Sequence, residues 1–344
     1  MSTSAELLDL AVSSRSSTFR LDLLSQDLNP IGVLEADESS PPSLSNSVDS
    51  QLKRTLSGVV LHDAGDVNPY TDLLRPVMVL QNKEESNLGV FAFADLSNTP
   101  DTPGKWGEAS MVDLLFRLDQ PTERGLALAK GADVSAFLAE LAAQAGMPEY
   151  SIPSISGRTG ESLAWAAGTS RLEIFTQVSR LMGFMDPYCN NEGVLVARTP
   201  PDLSESPTVS YSAGGRVFHS TIVYSNDLLT APNRFVVVDT SATTTPIFGV
   251  YDIPAANPNS IANRSGLVIS SYTEIQGVGT LEAAVRAAKA LADVSGQKTL
   301  QFSGVPDPRH DTYSLVEFDG VNWLEKSWSM NLAEGTDMSH ELVR

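Results

Sequence analysis

Cysteine is almost missing from this chain of 344 residues: Cys189 is the only one. That excludes an intramolecular disulfide framework and any zinc cluster built on thiolates. Basic residues are also scarce. Against 42 Asp and Glu there are 23 Lys and Arg, a formal net charge of −19, and a surface so negative repels phosphate. The acidity is spread along the chain with no acidic tail. Lys and Arg stand singly, with no basic stripe interleaved with aromatics, so the footprint of a nucleic-acid reader is absent. Aromatics make up 7% of residues and do not cluster with acids as in a sugar-binding cleft. No stretch approaches the roughly 20 apolar residues of a membrane span. Met1 to Ser17 carries Glu6 and Asp9 where an export signal wants positive charge. The expectation is a soluble protein that is not exported by an ordinary signal.

What is present is an ordinary hydrophobic share, 42%, on a chain long enough for two or three domains. Phe19 to Leu23 alternates apolar and charged residues, as a half-buried strand does. Asp37 to Ser50, rich in Ser, Pro, Asp and Asn, reads as an exposed loop. Short β-type runs follow at 58–61, 77–80, 88–93 and 109–118, a spacing that suggests a β-barrel or sandwich. The character changes near Gln120. A helix is predicted from Val134 to Ala145, with Phe137, Leu138, Leu141 and Ala142 on one stripe and Gly146 as its cap. Ser170-Arg171-Leu172-Glu173 is a capping box opening a second helix that ends at Gly183. Strands return from Pro207, at 217–224, 234–239, 248–253 and 267–276. One alanine-rich helix, Leu281 to Val294, interrupts them, with Leu281, Ala284, Val285, Ala288 and Leu291 on one face. Strands at 300–302, 314–318 and 321–331 close the series, the last two joined by Asp319-Gly320, a two-residue hairpin signal. The fold class expected is α+β and β-rich, with segments 1–119 (β), 120–203 (small α+β) and 204–344 (β with one helix).

No motif carries chemistry. His62, His219, His310 and His340 are far apart in sequence, none with a second ligand three or four residues away, and surface or turn positions are expected for them. Gly157 to Ser162 brings glycine and serine together at the wrong spacing for a nucleophile elbow. Cys189 sits in a polar run flanked by Asp186 and Glu192, the opposite of the electropositive setting that activates a thiol. Gly277-Val278-Gly279 follows a strand and opens a helix, superficially like a dinucleotide fingerprint. Glu282 occupies the third glycine position, however, and a turn with Thr280 as N-cap explains the same residues. Asp113 and Asp119 read as solvent-facing strand ends, and Asn263-Arg264-Ser265 has the form of a glycosylation acceptor without the context for one. The expectation is a protein that is not an enzyme, with no catalytic, cofactor-binding or metal site. A glycoside-hydrolase pair among the many carboxylates stays open as an alternative.

The order and spacing of segments resemble those of bacteriophage tail hub (baseplate) proteins, the group of late-control and siphophage minor tail hub proteins. The likeness runs from the opening strand Phe19 to Leu24 and Leu88-Gly89-Val90-Phe91, through the helices ending near Ala145-Gly146 and Gly183, to Glu192-Gly193-Val194-Leu195. It continues through Asn233 to Val238, Asn257-Pro258-Asn259-Ser260-Ile261, Ser265-Gly266, the helix through Ala287, Ala288 and Leu291, Asp307-Pro308, Trp323 and Trp328. The chain departs from many relatives in carrying Tyr313-Ser314, not Gly-Asp, ahead of Leu315-Val316. The resemblance implies two tube-type β-barrel domains around a small inserted α+β domain, three chains forming a ring about a channel. It implies as partners the tail tube protein, the distal tail protein, the tape measure protein and tip or fibre proteins, in the virion tail tip, with DNA passing through unbound. A tail-associated cell-wall hydrolase and a distal tail or receptor-binding adaptor are the alternatives it leaves.

Overall fold

The computed structural model describes residues 17–34, 39–61, 67–97, 107–154, 159–213, 222–239 and 246–344. Local chemistry sets most element ends. Asp133 accepts from the Ala136 amide (3.0 Å) at the start of α1, Val134–Gln144. Ser170 accepts from the Glu173 amide (3.0 Å) to open α2, Arg171–Leu181. Thr280 accepts from the Ala283 amide (3.2 Å) ahead of α3, Leu281–Val294. Each cap satisfies an amide that the first helical turn leaves without a partner. Asp319 and Gly320, at φ +48° and +77°, make the left-handed turn that folds Leu315–Phe318 against Val321–Asn331.

Among the described residues the architecture is β-rich, with three α-helices and one 14-stranded, mainly antiparallel sheet. The sheet does not close on itself among the described residues. Its path starts at the edge strand Val223–Asn226 and crosses Lys298–Gly304, Met338–Val343 and Val321–Asn331. It continues through Ser43–Ser47, Arg54–Leu61 and Gly107–Asp113, and ends at Pro30–Leu34. Two separate barrels are therefore not what the strand order gives, because the N- and C-terminal halves share one open sheet. The join is the pairing of Ser43–Ser47 with Val321–Asn331. The sequence around Ser43–Ser47 reads as an exposed loop, yet its Leu44 and Asn46 point inward and are buried while the three serines face out. The run 109–118 is likewise a strand only to Asp113, and a 3-10 helix takes Leu114–Arg117.

The largest core joins α1 and α2 to a smaller sheet of Arg234–Asp239, Ile247–Asp252 and Ser270–Glu274, through Leu138, Leu141, Phe175, Val178, Phe235 and Val237. The third helix lies on that smaller sheet by its alanines. Ala284, Ala287, Ala288, Ala290 and Ala292 are buried, whereas Leu281 is 61% exposed. The stripe is thus rotated from the one expected, and size decides it. A Cβ on Gly249 would stand 2.2 Å from the Ala284 backbone, so only the smallest residues fit between helix and strand.

Candidate functional site

Where the two halves of the large sheet meet, register lines up hydroxyls on its outer face. Thr55 pairs with Ser45, Ser45 with Ser329, Ser329 with Ser339, and Ser339 with Ser303, one row across five strands. The next row runs Ser47, Ser327, Glu341 and Gln301. Ser45 and Thr55 share a hydrogen bond of 2.7 Å. Neither row contains Lys or Arg. Side chains alternate across a pleated sheet, so a polar outer row implies an inner row behind it. That inner row is Asn46, Trp328, His340 and Phe302, all buried.

Behind this face a polar network is set among buried apolar side chains. Arg54 is 1% exposed, and its guanidinium donates to Leu88 O (3.2 Å), Asn191 Oδ1 (2.6 Å), Thr312 Oγ1 (3.4 Å) and Asp311. It also lies over the Trp328 ring, 5.7 Å from the centroid. One side chain thereby ties together the N-terminal strands, the middle segment and the C-terminal strands. Thr312 donates on to Asn46 (2.7 Å). Asp113 accepts the Arg54 amide (2.9 Å) and the Leu115 amide (3.1 Å), and burial pushes its carboxyl up to about 6.

Beside this network sits a second one. Glu325 Oε2 meets His310 Nδ1 at 2.7 Å and Oε1 meets His340 Nδ1 at 2.8 Å. Tyr211 Oη faces both Nε2 atoms, at 2.8 and 3.5 Å. Burial pushes Glu325 up to about 7 and His340 down to about 4, each drawn back by the bond between them. The imidazole of His340 stacks on Phe302 at 4.6 Å.

The expectations for His310, His340 and Asp113 change. His310 and His340 are not surface or turn residues but 2% and 4% exposed, brought together by strand pairing and not by local spacing. His62 and His219 lie outside the described residues, as do Gly157 and Arg158. Asp113 is not a solvent-facing strand end but a buried cap of the 3-10 helix, while Asp119 does face solvent, bonded to Gln51. Cys189 stands in the short strand Tyr188–Cys189, fully buried, and burial raises its thiol well above the ordinary value. The Gly277 and Gly279 amides donate to the Asp239 carboxylate (3.3 and 3.1 Å), so the chain's own anion sits in the cradle a phosphate would need. Asn263 Nδ2 is held by two backbone carbonyls at 2.8 Å each.

A β-rich chain of this topology falls in a recognised fold class. Its fold is that of phage tail proteins. The 43 kDa tail protein of prophage MuSo2 from Shewanella oneidensis matches with a TM-score of 0.63 at 11% identity, over 96% of this chain and 98% of that one. A tail protein from Neisseria meningitidis MC58 matches at 0.61 and 13% identity, over 95% and 96%. The prophage tail protein gp18 from Listeria monocytogenes EGD-e matches at 0.54 and 9% identity, over 94% of each. No family model and no curated protein sequence matches the chain. Among the described residues no helix is long and apolar enough to cross a membrane.

Proposed function

We propose that this protein is a structural, non-enzymatic component of a phage tail, a hub at the tail tip of the virion. The observation that carries the reading is the match in fold to prophage tail proteins along nearly the whole chain. In this reading three chains form a ring. The segments 1–119 and 204–344 act as two tube-type domains around the inserted 120–203, so that three copies offer six domains to a six-fold tube. The edges of the open sheet support the ring. Its two edge strands, Pro30–Leu34 and Val223–Asn226, expose Ile31, Val33, Val223 and Tyr224. Edges left unpaired among the described residues seek another strand, and head-to-tail contacts between unlike edges close into rings. The hydroxyl rows would face the channel. With no cation in them and −19 on the chain, DNA would slide past without sticking. The tail tube and distal tail proteins would dock above, with the tape measure protein and tip or fibre proteins as the other neighbours.

Cryo-electron microscopy of tail tips containing this chain tests the proposal. Three copies at one level, each giving two related domains to a six-fold collar, are expected. Six copies in one ring would sink the hub assignment. Release of peptidoglycan fragments by the purified protein, abolished by a single carboxylate substitution, would overturn the non-enzymatic reading.

A further inference from the structure

His310, Glu325 and His340 are the one group of three potential metal ligands found among the described residues. Their ligand atoms lie within 4.8 Å of one another. They come from three separate pieces of backbone: the connection ahead of Leu315–Phe318, the strand Val321–Asn331 and the strand Met338–Val343. All three are sealed from solvent.

We propose that this cluster is a closed, structural site for a divalent metal ion of borderline softness, with zinc the first choice. It is independent of the tail-hub reading. The ligands are His310 Nδ1, His340 Nδ1 and the Glu325 carboxylate binding through both oxygens. Two imidazole nitrogens and a carboxylate suit zinc, with bonds of about 2.0–2.2 Å. The observed N···O separations of 2.7 and 2.8 Å would be subtended by two such bonds meeting at roughly 80–85°. The ion would take the place of the hydrogen bonds along those two edges.

The position of Tyr211 suits an ion. With both Nδ1 lone pairs on a metal, each ring carries its proton on Nε2, and both Nε2–H groups point at Tyr211 Oη, which has two lone pairs to accept them. An outer partner that holds the far nitrogen of a metal-bound histidine is the usual support of such sites, and here one phenol would serve two ligands. An imidazolium would close the same ring of bonds, and it is the alternative that the experiment must separate.

The full chain is produced in zinc-supplemented medium, purified without chelator, dialysed and assayed for metals by mass spectrometry. About one zinc per chain is expected, as the four-donor set can hold one ion. Because the site is sealed, the protein is also unfolded in guanidinium with chelator and refolded with or without zinc. Zinc should raise the denaturation midpoint, since an ion that binds only the folded state stabilises it. Cobalt(II) should give visible ligand-field bands when refolded in its place. Glu325→Gln and His340→Gln should lose the metal. Tyr211→Phe, which keeps the first ligands, should weaken zinc roughly 10–100-fold and decides the matter if the ligand variants do not fold. A folded wild-type protein without metal, whose refolding ignores zinc and cobalt, would establish the imidazolium and overturn the proposal. So would metal retained equally by wild type, Tyr211→Phe and folded ligand variants, which would be an adventitious ion.

Discussion

Two interiors hold this molecule, and they differ in kind. The one under α1, α2 and the three-stranded sheet is nearly all hydrocarbon, with Leu138, Phe175, Val178, Val237 and the alanines of α3. The one behind the hydroxyl face sets Arg54, Asn46, Thr312, Asp113, Glu325 and two histidines among apolar side chains such as Leu44, Leu56 and Met330. Hydrocarbon contacts are non-directional, so that core stabilises without dictating register. Hydrogen bonds have direction. They sit where Ser43–Ser47 must find Val321–Asn331, a pairing that buries only Leu44 and Asn46 from the shorter strand. A strand with one inward hydrophobe is weakly specified by burial, and the polar network supplies the missing information.

The largest expected difference comes from putting leucine in each core. Phe175→Leu keeps most of the volume and should cost less than about 1.5 kcal/mol. Arg54→Leu strands the half-buried Asp311 carboxylate and the acceptors Leu88 O and Asn191 Oδ1, and should cost about 3–5 kcal/mol. Adding Asp311→Asn to Arg54→Leu should recover part of that loss, because the uncompensated charge goes with it. Urea midpoints of the four proteins measure this. Equal costs for the two leucine variants would erase the distinction between the interiors.

Acid sharpens the same contrast, because only the polar interior titrates. Burial places Asp113 at about 6 in the folded protein against 3.8 for the free group. Its raised value means that its contribution to stability is complete below about 3.8 and is lost as pH rises through about 6. Two units correspond to about 3 kcal/mol. Asp113→Asn does not titrate, so wild type minus variant should grow more favourable by up to about 3 kcal/mol from pH 7 to pH 4. The other carboxylates cancel in the difference. A difference that stays flat over that range would show Asp113 ionised throughout, its amide donors outweighing burial.

The two interiors also explain what the sequence reveals. The helices, their caps at Ser170 and Thr280, the strand Arg234–Asp239 and the hairpin at Asp319-Gly320 are legible, because there the apolar period and turn chemistry agree with the fold. The strand Ser43–Ser47 is not, and neither is Met338–Val343, which carries His340. Ser43–Ser47 alternates throughout and Met338–Val343 as far as Leu342, but each has a polar residue on its inward face, Asn46 or His340. A binary pattern counts those positions as solvent-facing. The histidine cluster is hidden for the same reason: its members are 15 residues apart along the chain and meet only through pairing of a strand that the pattern does not announce. Asp113 fails similarly, a carboxylate whose burial follows from capping and not from hydropathy.

The smallest expected effect concerns the outer row. Ser45, Ser329, Ser339 and Ser303 are the most regular feature of the joint, and the Ser45–Thr55 and Ser303–Ser339 contacts (2.7 and 3.4 Å) invite a stabilising role. Yet each hydroxyl is within reach of water, and an exposed hydrogen bond exchanges one partner for another at little net gain. Ser329→Ala and Ser303→Ala should therefore each shift stability by less than about 0.5 kcal/mol, the usual range for surface positions. By contrast, Asn46→Ala one residue from Ser45 should cost about 1–3 kcal/mol, since it removes the acceptor of Thr312 inside the protein. Thermal or urea unfolding of the three variants tests it. Serine variants as costly as Asn46→Ala would mean that the outer face, and not the polar interior, sets the register of the joint. Near-neutral serine variants would leave the row free to be kept for what it presents to the outside.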